Sequence, residues 1–449
     1  MEVMSTGQDR GASSPQLMRQ ANRQALLQHA LRVEAFTAAD AMAATGLTRA
    51  TVLGVCAELE QAGWLHEVTG ERESGVVQRG RPARHYALRA EAAVLIGIDA
   101  GQHTLSARVA DLRGHQLAAA RCAVHGELDG TDAERGAAAA EERVDAVRSL
   151  VEEVLDQAGA SDRPRLLTVI GVPAPVDSAG NSPAVGGAYW SAMNPGFLDA
   201  LDGTVVVEND ANLAVLAEHA LAEAAPGGSS SGDRTEHLAA LLMGERFGAG
   251  LIVDGRLLRG ADGGAGEMRF LDAVLGDSRG ADGVAALARR WTLEALVAGA
   301  ASPALETIPA ELLTAEDVFA AAHEGDALAR EVLDRTGERL ARIAAILSSL
   351  LGVEKVVVAG AIATAIEPVL AHARAVLPEV SAPPFPHLLA SALGQDVVVR
   401  GAIELALARL REDPLALLSI DSSTDRPADQ ITDRPTDRPT PPTEGNHAP

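Results

Sequence analysis

The chain has 449 residues, too many for one ordinary core, so two or three domains are expected. Hydrophobic residues make up 47% and aromatic residues 2%, so the core is built mainly from Ala, Val and Leu. The formal charge of −24 argues against a nucleic-acid partner for the chain as a whole, but the charge is unevenly spread.

Residues 1–90 hold ten Arg against nine Asp and Glu, a net of +1, which leaves −25 on residues 91–449. The acidic bulk repels phosphate, so the N-terminal segment is the expected contact surface for DNA. Residues 1–13 are polar and expected to be flexible. Ser14-Pro15 supplies an N-cap and a proline at the first helical position, and Leu26, Leu27, Ala30 and Leu31 share one side of the helix that follows. Thr37 caps a short helix over residues 38–44, stopped by Gly46. Thr48 caps a third, in which Val52, Val55, Cys56 and Leu59 recur with helical spacing. Gly63 ends it, and Trp64-Leu65 opens an extended segment. Helix, helix, glycine turn, helix and wing predict a winged helix-turn-helix over residues 14–90.

From Val94 the pattern is α/β. Residues 94–98, 104–111 and 116–124 read as strands turned at Gly101 and Gly114, and a helix is expected from about Glu141 to Gln157. Residues 166–172 and 205–208 read as buried strands, with a helix from Ala211 to about Glu223 and a flexible Gly/Ser loop at 226–232. Strands return at 237–243 and 249–253, a helical region covers about 281–350, and Val356-Val357-Val358 forms a last strand before Gly360. Residues 413–449 repeat Thr-Asp-Arg-Pro and are expected to be a disordered Pro-rich tail. Cys56 and Cys122 lie far apart in apolar surroundings and fit buried, reduced thiols better than a disulfide. With no signal pattern and no apolar run of about 18 residues, a soluble cytoplasmic protein with no membrane partner is expected.

A recognition helix offers its first turn to base edges in the major groove. Here that turn carries Thr48, Arg49 and Thr51: one long donor suited to guanine and two short hydroxyls suited to phosphate or a thymine methyl. Arg79-Gly80-Arg81-Pro82 has the composition of an AT-hook core, in which guanidinium groups enter a narrow A/T minor groove, and Arg72 and Arg84 add charge nearby. Each has a blander alternative: a helical module for protein contacts, and a linker turn with solvated arginines. Together they point to DNA binding through Thr48, Arg49, Thr51, Arg79, Gly80 and Arg81.

Gly97-Ile98-Asp99-Ala100-Gly101, Val207-Glu208-Asn209-Asp210-Ala211-Asn212, the run 248–260 beginning Gly248-Ala249-Gly250, and Gly263-Gly264-Ala265-Gly266-Glu267 follow one another after strands. In this order, with Asn22, the run 45–51 and Gly80-Arg81-Pro82, the set resembles the ROK family of bacterial repressors and sugar kinases over about residues 15–410. The resemblance implies a ROK-like ligand-binding and oligomerisation domain over residues 91–412, with a two-subdomain actin-like, ribonuclease H-like sugar-kinase fold. It implies that Asp210 stands where the kinases carry their catalytic base, with Asn209 and Glu267 hydrogen-bonding a sugar. Asp210 can equally be a helix N-terminal carboxylate and Glu267 a solvated loop charge.

The departures from the family are specific. Gln102-His103 stands where the kinases carry Gly-Thr, and Gly244-Glu245-Arg246-Phe247-Gly248 replaces Gly-Thr-Gly-x-Gly. A carboxylate and bulky side chains thus occupy positions where backbone amides approach phosphate. Ala359-Gly360 stands for a Gly-Gly pair, a milder change. No cysteine follows Cys122, so the family's zinc cluster lacks its thiolates and no metal or cofactor is expected. Phe270 replaces a sugar-contacting histidine, Arg269 is either an anion-binding or a plain surface arginine, and Tyr189 and Trp190 either stack on a sugar or pack. Leu53-Gly54 stands where the repressors carry a polar or basic pair.

The reading is a DNA-binding transcriptional regulator, a repressor responding to a sugar or sugar derivative, with catalysis lost and Asp210 a vestigial base. Its expected partners are a palindromic duplex operator with A/T-rich flanks, a sugar-like effector, and one or three further copies of the chain. The alternatives are an ATP-dependent sugar kinase with a fused DNA-binding head, and an effector-independent DNA-binding oligomer.

Overall fold

The computed structural model describes residues 15–68, 83–124, 133–183, 188–224, 236–267 and 282–418. Ser14, Arg72, the hook Arg79-Gly80-Arg81-Pro82, the loop 226–232, Arg269 and Phe270 lie outside the described residues, as do residues 1–13 and the tail beyond Leu418.

The N-terminal head contains α1 (Pro15–Ala30), β1 (Phe36–Thr37), α2 (Ala38–Thr45), α3 (Arg49–Gln61), β2 (Leu65–Val68) and β3 (His85–Leu88). A reciprocal capping box between Thr37 and Asp40 starts α2, and Gly46, at φ 71°, ends it in the left-handed conformation that glycine adopts without strain. β3 pairs antiparallel with both β1 and β2. Leu26, Leu27, Phe36, Ala41, Val52, Cys56, Leu59, Leu65 and Tyr86 are buried between helices and wing, a winged helix-turn-helix.

Two sheets follow. The first lobe has β4 (Val94–Ala100), β5 (Thr104–Ala110), β6 (Gln116–Ala123), α4 (Ala133–Gln157), β7 (Arg165–Val172), α5 (Ala188–Met193), α6 (Phe197–Ala200), β8 (Val205–Asn209) and α7 (Asp210–Ala224). The second has β9 (Leu238–Met243), β10 (Phe247–Val253), β11 (Arg256–Leu257), α8 (Val284–Val297), α9 (Ala315–Glu324) and α10 (Ala327–Leu351). It continues with β12 (Lys355–Ala359), α11 (Glu367–Val380), β13 (His387–Ala390) and α12 (Val397–Glu412). The strand orders are β6-β5-β4-β7-β8 and β11-β10-β9-β12-β13. Both sheets have an antiparallel meander of three strands extended by two parallel strands. This duplicated topology is the actin-like, ribonuclease H-like architecture.

Two helices cross between the lobes. α7 leaves the first sheet and packs on β9 and β10, while α12 leaves the second and packs on β4 and β7. They also lie against each other at backbone distance: a Cβ at Gly401 of α12 would stand 1.8 Å from the Leu213 carbonyl oxygen of α7.

Several boundaries differ from expectation. α4 begins at Ala133 rather than near Glu141, because the alanine run 137–140 carries no amphipathic pattern yet favours helix strongly. Regular structure continues past residue 413 into α13 (Pro414–Leu417), where Asp413 caps Ala416 N and Leu418 is fully buried. Cys122 is only half-buried, because β6 is an edge strand with an alternating face in solvent. Among the described residues no helix is long and apolar enough to cross a membrane.

Gly401→Ala is expected to cost about 2 kcal/mol or more, because neither backbone can yield without opening the lobe junction. Chemical denaturation measures it, and an unchanged midpoint would mean that the two helices can separate freely.

Candidate functional site

In the head, Thr48 caps α3 by accepting from Thr51 N at 3.3 Å, and the two hydroxyl oxygens lie 2.9 Å apart. Both expected hydroxyls are therefore engaged with each other at the helix start. Arg49 is exposed on the first turn, followed around the same face by Ala50, Leu53, Gly54 and Ala57. Arg23 of α1 pairs with Glu58 at 2.8 Å, neutralising an acid at the far end of α3. Arg84 lies 3.6 Å from Glu67 at the base of the wing.

A cleft of about 350 Å³ opens between the lobes, lined by Asp99 at the end of β4, the turn 101–104, Asp210, the turn 244–246, Gly360 and the start of α12. Asp210 is the first residue of α7 and accepts from Ala211 N at 2.7 Å. Burial, the Asp99 carboxylate and then Glu267 push its pKa up to about 8. Burial likewise raises Asp99 to about 7, opposed by Arg121 and Arg143. The preceding Asn209 is half spent on structure: Oδ1 accepts from Asn212 N at 3.1 Å and Nδ2 donates to the Ala174 carbonyl at 3.0 Å. Glu208 is buried, taking Asn212 Nδ2 on one oxygen and Arg259 on the other at 2.9 and 2.7 Å. Glu267 follows Gly266, whose carbonyl accepts from Ala249 N at 3.1 Å, and its charge acts on both Asp210 and Tyr189. The three expected ligand residues are thus gathered in one region, with Asn209 partly committed.

The departures from the kinase pattern meet across this cleft. The Tyr189 hydroxyl donates to Gln102 Oε1 of the first turn at 3.3 Å, and the Arg246 guanidinium of the second turn stacks 3.9 Å from the Tyr189 ring centre. Glu245, which also lines the cleft, pairs with Arg289 of α8 at 2.5 and 2.6 Å. The amides of Gly283 and Ala285 at the start of α8 donate to the Glu245 and Gly244 carbonyls, so the turn itself occupies those donors. Arg143 of α4, buried beneath the first turn, donates to the carbonyls of Ala100 and Gly101. Burial lowers its pKa to about 10. Trp190 packs in the first lobe's core with Met193 and Phe197, so of the two aromatic candidates only Tyr189 lines the cleft.

Two elements run from this cleft to the head. Asp396, immediately before α12, accepts from Arg108 of β5 at 3.2 Å and from Arg121 of β6 at 3.1 Å, while Arg121 also donates to Ser106 at 2.9 Å. At the other end of α12, the Glu412 carbonyl accepts from Gln28 of α1 at 2.9 Å. At the other end of β5 and β6, Arg113 in their turn donates to the carbonyls of Val33 and Glu34, after α1, at 3.0 and 3.1 Å. None of Arg108, Arg113, Arg121, Arg143, Arg246 or Asp396 was singled out for such contacts by local pattern. Their partners lie tens to hundreds of residues away in the chain.

The ROK family model matches residues 95–409. A glucokinase from Halalkalibacterium halodurans is 29% identical over 196 residues, 39% of this chain and 56% of that protein. A bifunctional NanE/NanK enzyme from Brucella melitensis is 32% identical over 235 residues, 49% of this chain and 41% of that one. The chain thus spans about half the length of these relatives. Among solved structures, a ROK family transcriptional regulator, a homologue of Escherichia coli Mlc, superposes with TM-score 0.64 at 20% identity, covering 90% of this chain and 99% of its own. A ROK family glucokinase from Streptomyces griseus, in complex with glucose and AMPPNP, gives TM-score 0.54 at 22% identity over 70% of this chain and 99% of its own.

The Asp210 carboxyl keeps its proton up to about pH 8 in the folded chain but loses it near 3.8 when unfolded. Between those values the folded state holds the extra proton, so stability falls as pH rises. Asp210→Asn removes that dependence, and the melting temperature of the variant should gain on the parent's between about pH 6 and pH 8. Parallel pH profiles would contradict a buried neutral carboxyl.

Proposed function

The chain belongs to the ROK family, and from that premise we propose that it is a sequence-specific DNA-binding transcriptional regulator, a repressor. Its sugar-kinase-like body senses a sugar or sugar derivative and no longer transfers phosphate. Arg49 with Thr48 and Thr51, and the hook residues Arg79, Gly80 and Arg81, bind duplex DNA. Asn209, Asp210 and Glu267 contact the effector. Two or four chains bind a palindromic operator with A/T-rich flanks.

The observation that carries the reading is the pair of connections from cleft to head. α12 begins at the cleft on Asp396 and ends on Gln28 of α1, and the β5–β6 hairpin begins on the same Asp396 and ends against residues 33–34. A ligand that favours one separation of the lobes thereby favours one arrangement of the head. The cleft's own geometry argues against transfer: the bridge Gln102–Tyr189–Arg246 spans the space between the two turns.

A second reading, a sugar kinase with a DNA-binding head, is favoured by the retained Asp210 and by relatives named as kinases. Coupled ADP release across a panel of hexoses and amino sugars separates the two. Turnover no greater than that of Asp210→Asn supports the regulator, and turnover that this substitution abolishes supports the kinase. In vitro selection from random duplex DNA tests the regulator directly, with enrichment of a palindrome flanked by A/T pairs as the expected result. Recovery of no sequence by folded protein would remove the DNA-binding role. Asp396→Asn takes away the carboxylate shared by Arg108 and Arg121. Amide hydrogen exchange should then speed up by at least about threefold in both α12 and α1. Acceleration confined to the residues around 396 would break the proposed connection.

A further inference from the structure

The exposed face of α3 is unusual for a helix that approaches a polyanion. Arg49, Ala50, Leu53, Gly54 and Ala57 share it, opposite the buried Val52, Val55, Cys56 and Leu59. Of the five, only Arg49 carries a charge. Nor does the adjoining Glu58 act as a free acid, because Arg23 holds it at 2.8 Å.

Gly54 is the most informative of the five. It sits in the middle of α3, where glycine is destabilising relative to alanine. Among the described residues nothing asks for it: a Cβ built at Gly54 meets no atom within 4 Å. The glycines at the lobe junction, by contrast, are each crowded by backbone. A missing side chain with no internal neighbour leaves room for something outside. Leu53 beside it is 38% exposed, an apolar side chain that reaches the surface.

Resting on the regulator reading above, we infer that this face enters the major groove and reads thymine by its C5-methyl group. Leu53, Ala50 and Ala57 make the apolar contacts, and Gly54 lets the helix backbone approach the base edges. The thymine methyl is the one apolar group that base pairs display in that groove, and short aliphatic side chains are its complement. The engaged hydroxyls of Thr48 and Thr51 leave Arg49 as the long donor of the first turn, for guanine or phosphate. The partner is duplex DNA whose half-sites place thymines under the middle of α3. The charge supports this occupant over an apolar protein surface: the face has a cationic leading end and belongs to the segment of net +1 in a chain of net −24.

The test uses the full chain and the duplex that it enriches from random DNA, with uracil put in place of thymine at one half-site position at a time. Uracil differs only in lacking the methyl. Affinity should fall about fourfold at each contacted position, the change expected for one methyl group returned to water. Leu53→Ala should weaken binding to the parent duplex and remove the uracil penalty at one position, a coupling that altered DNA shape alone would not give. Gly54→Ala should raise the melting temperature by roughly 2–4 °C while weakening DNA binding by at least about threefold. Equal affinity for thymine and uracil duplexes, or a Gly54→Ala protein that binds as well as the parent, overturns the inference and leaves the regulator reading intact. Failure to enrich any duplex would remove both.

Discussion

α12 packs against α7 and ties the two lobes together. Each helix leaves one lobe and packs on the other, and Gly401 brings the two backbones to a separation that a methyl group would prevent. Gly250 does the same for α7 on β10, where a Cβ would stand 1.9 Å from the Ala211 carbonyl oxygen. α7 also begins with Asp210 on the cleft floor, and α12 begins at the cleft wall and ends at the head. Movement of one lobe against the other must therefore be expressed along these helices. A close-packed junction of this kind favours a few discrete arrangements over continuous deformation.

Charge divides the molecule's tasks. The head is nearly neutral with exposed arginines, while the body carries the chain's negative charge, which repels phosphate. Inside the cleft the order is reversed. Arg121, Arg143 and Arg246 stand around Asp99, which burial raises to about 7, and Asp210, which burial and the Asp99 charge raise to about 8. Each arginine is also committed to a structural partner: Asp396, the first turn's carbonyls and the Tyr189 ring respectively. The groups that replace the kinases' glycine turns thus hold the cleft's own walls together.

Much of the fold was legible as local pattern. Thr37, Gly46 and Thr48 bound the head's helices where expected, because capping and left-handed turns are decided within four residues. The glycine runs located the strand–turn–helix units, since close backbone approach leaves glycine as its signature. The body after Val358 is not resolved into elements by pattern: Pro383, Pro384 and Pro386 mark a break between α11 and β13, but β13 is only four residues long, and α12 is placed by packing on the other lobe. Long-range pairs were invisible for a simpler reason. Arg121 and Asp396 are 275 residues apart, and no periodicity links them. Trp190 shows the limit of composition alone, for the same residue suits a sugar platform or a core, and the turn of α5 puts it in the core.

Under the proposed function, occupation of the cleft and binding of DNA are coupled through one set of helices. The most direct test of this coupling is fluorescence anisotropy of a labelled operator duplex, titrated with the full chain at fixed salt in the presence of each member of a panel of sugars and sugar derivatives. At least one compound should shift the operator affinity by about fivefold or more, and the operator should shift the affinity for that compound by the same factor. A compound that occupies the cleft while leaving operator affinity unchanged would contradict it.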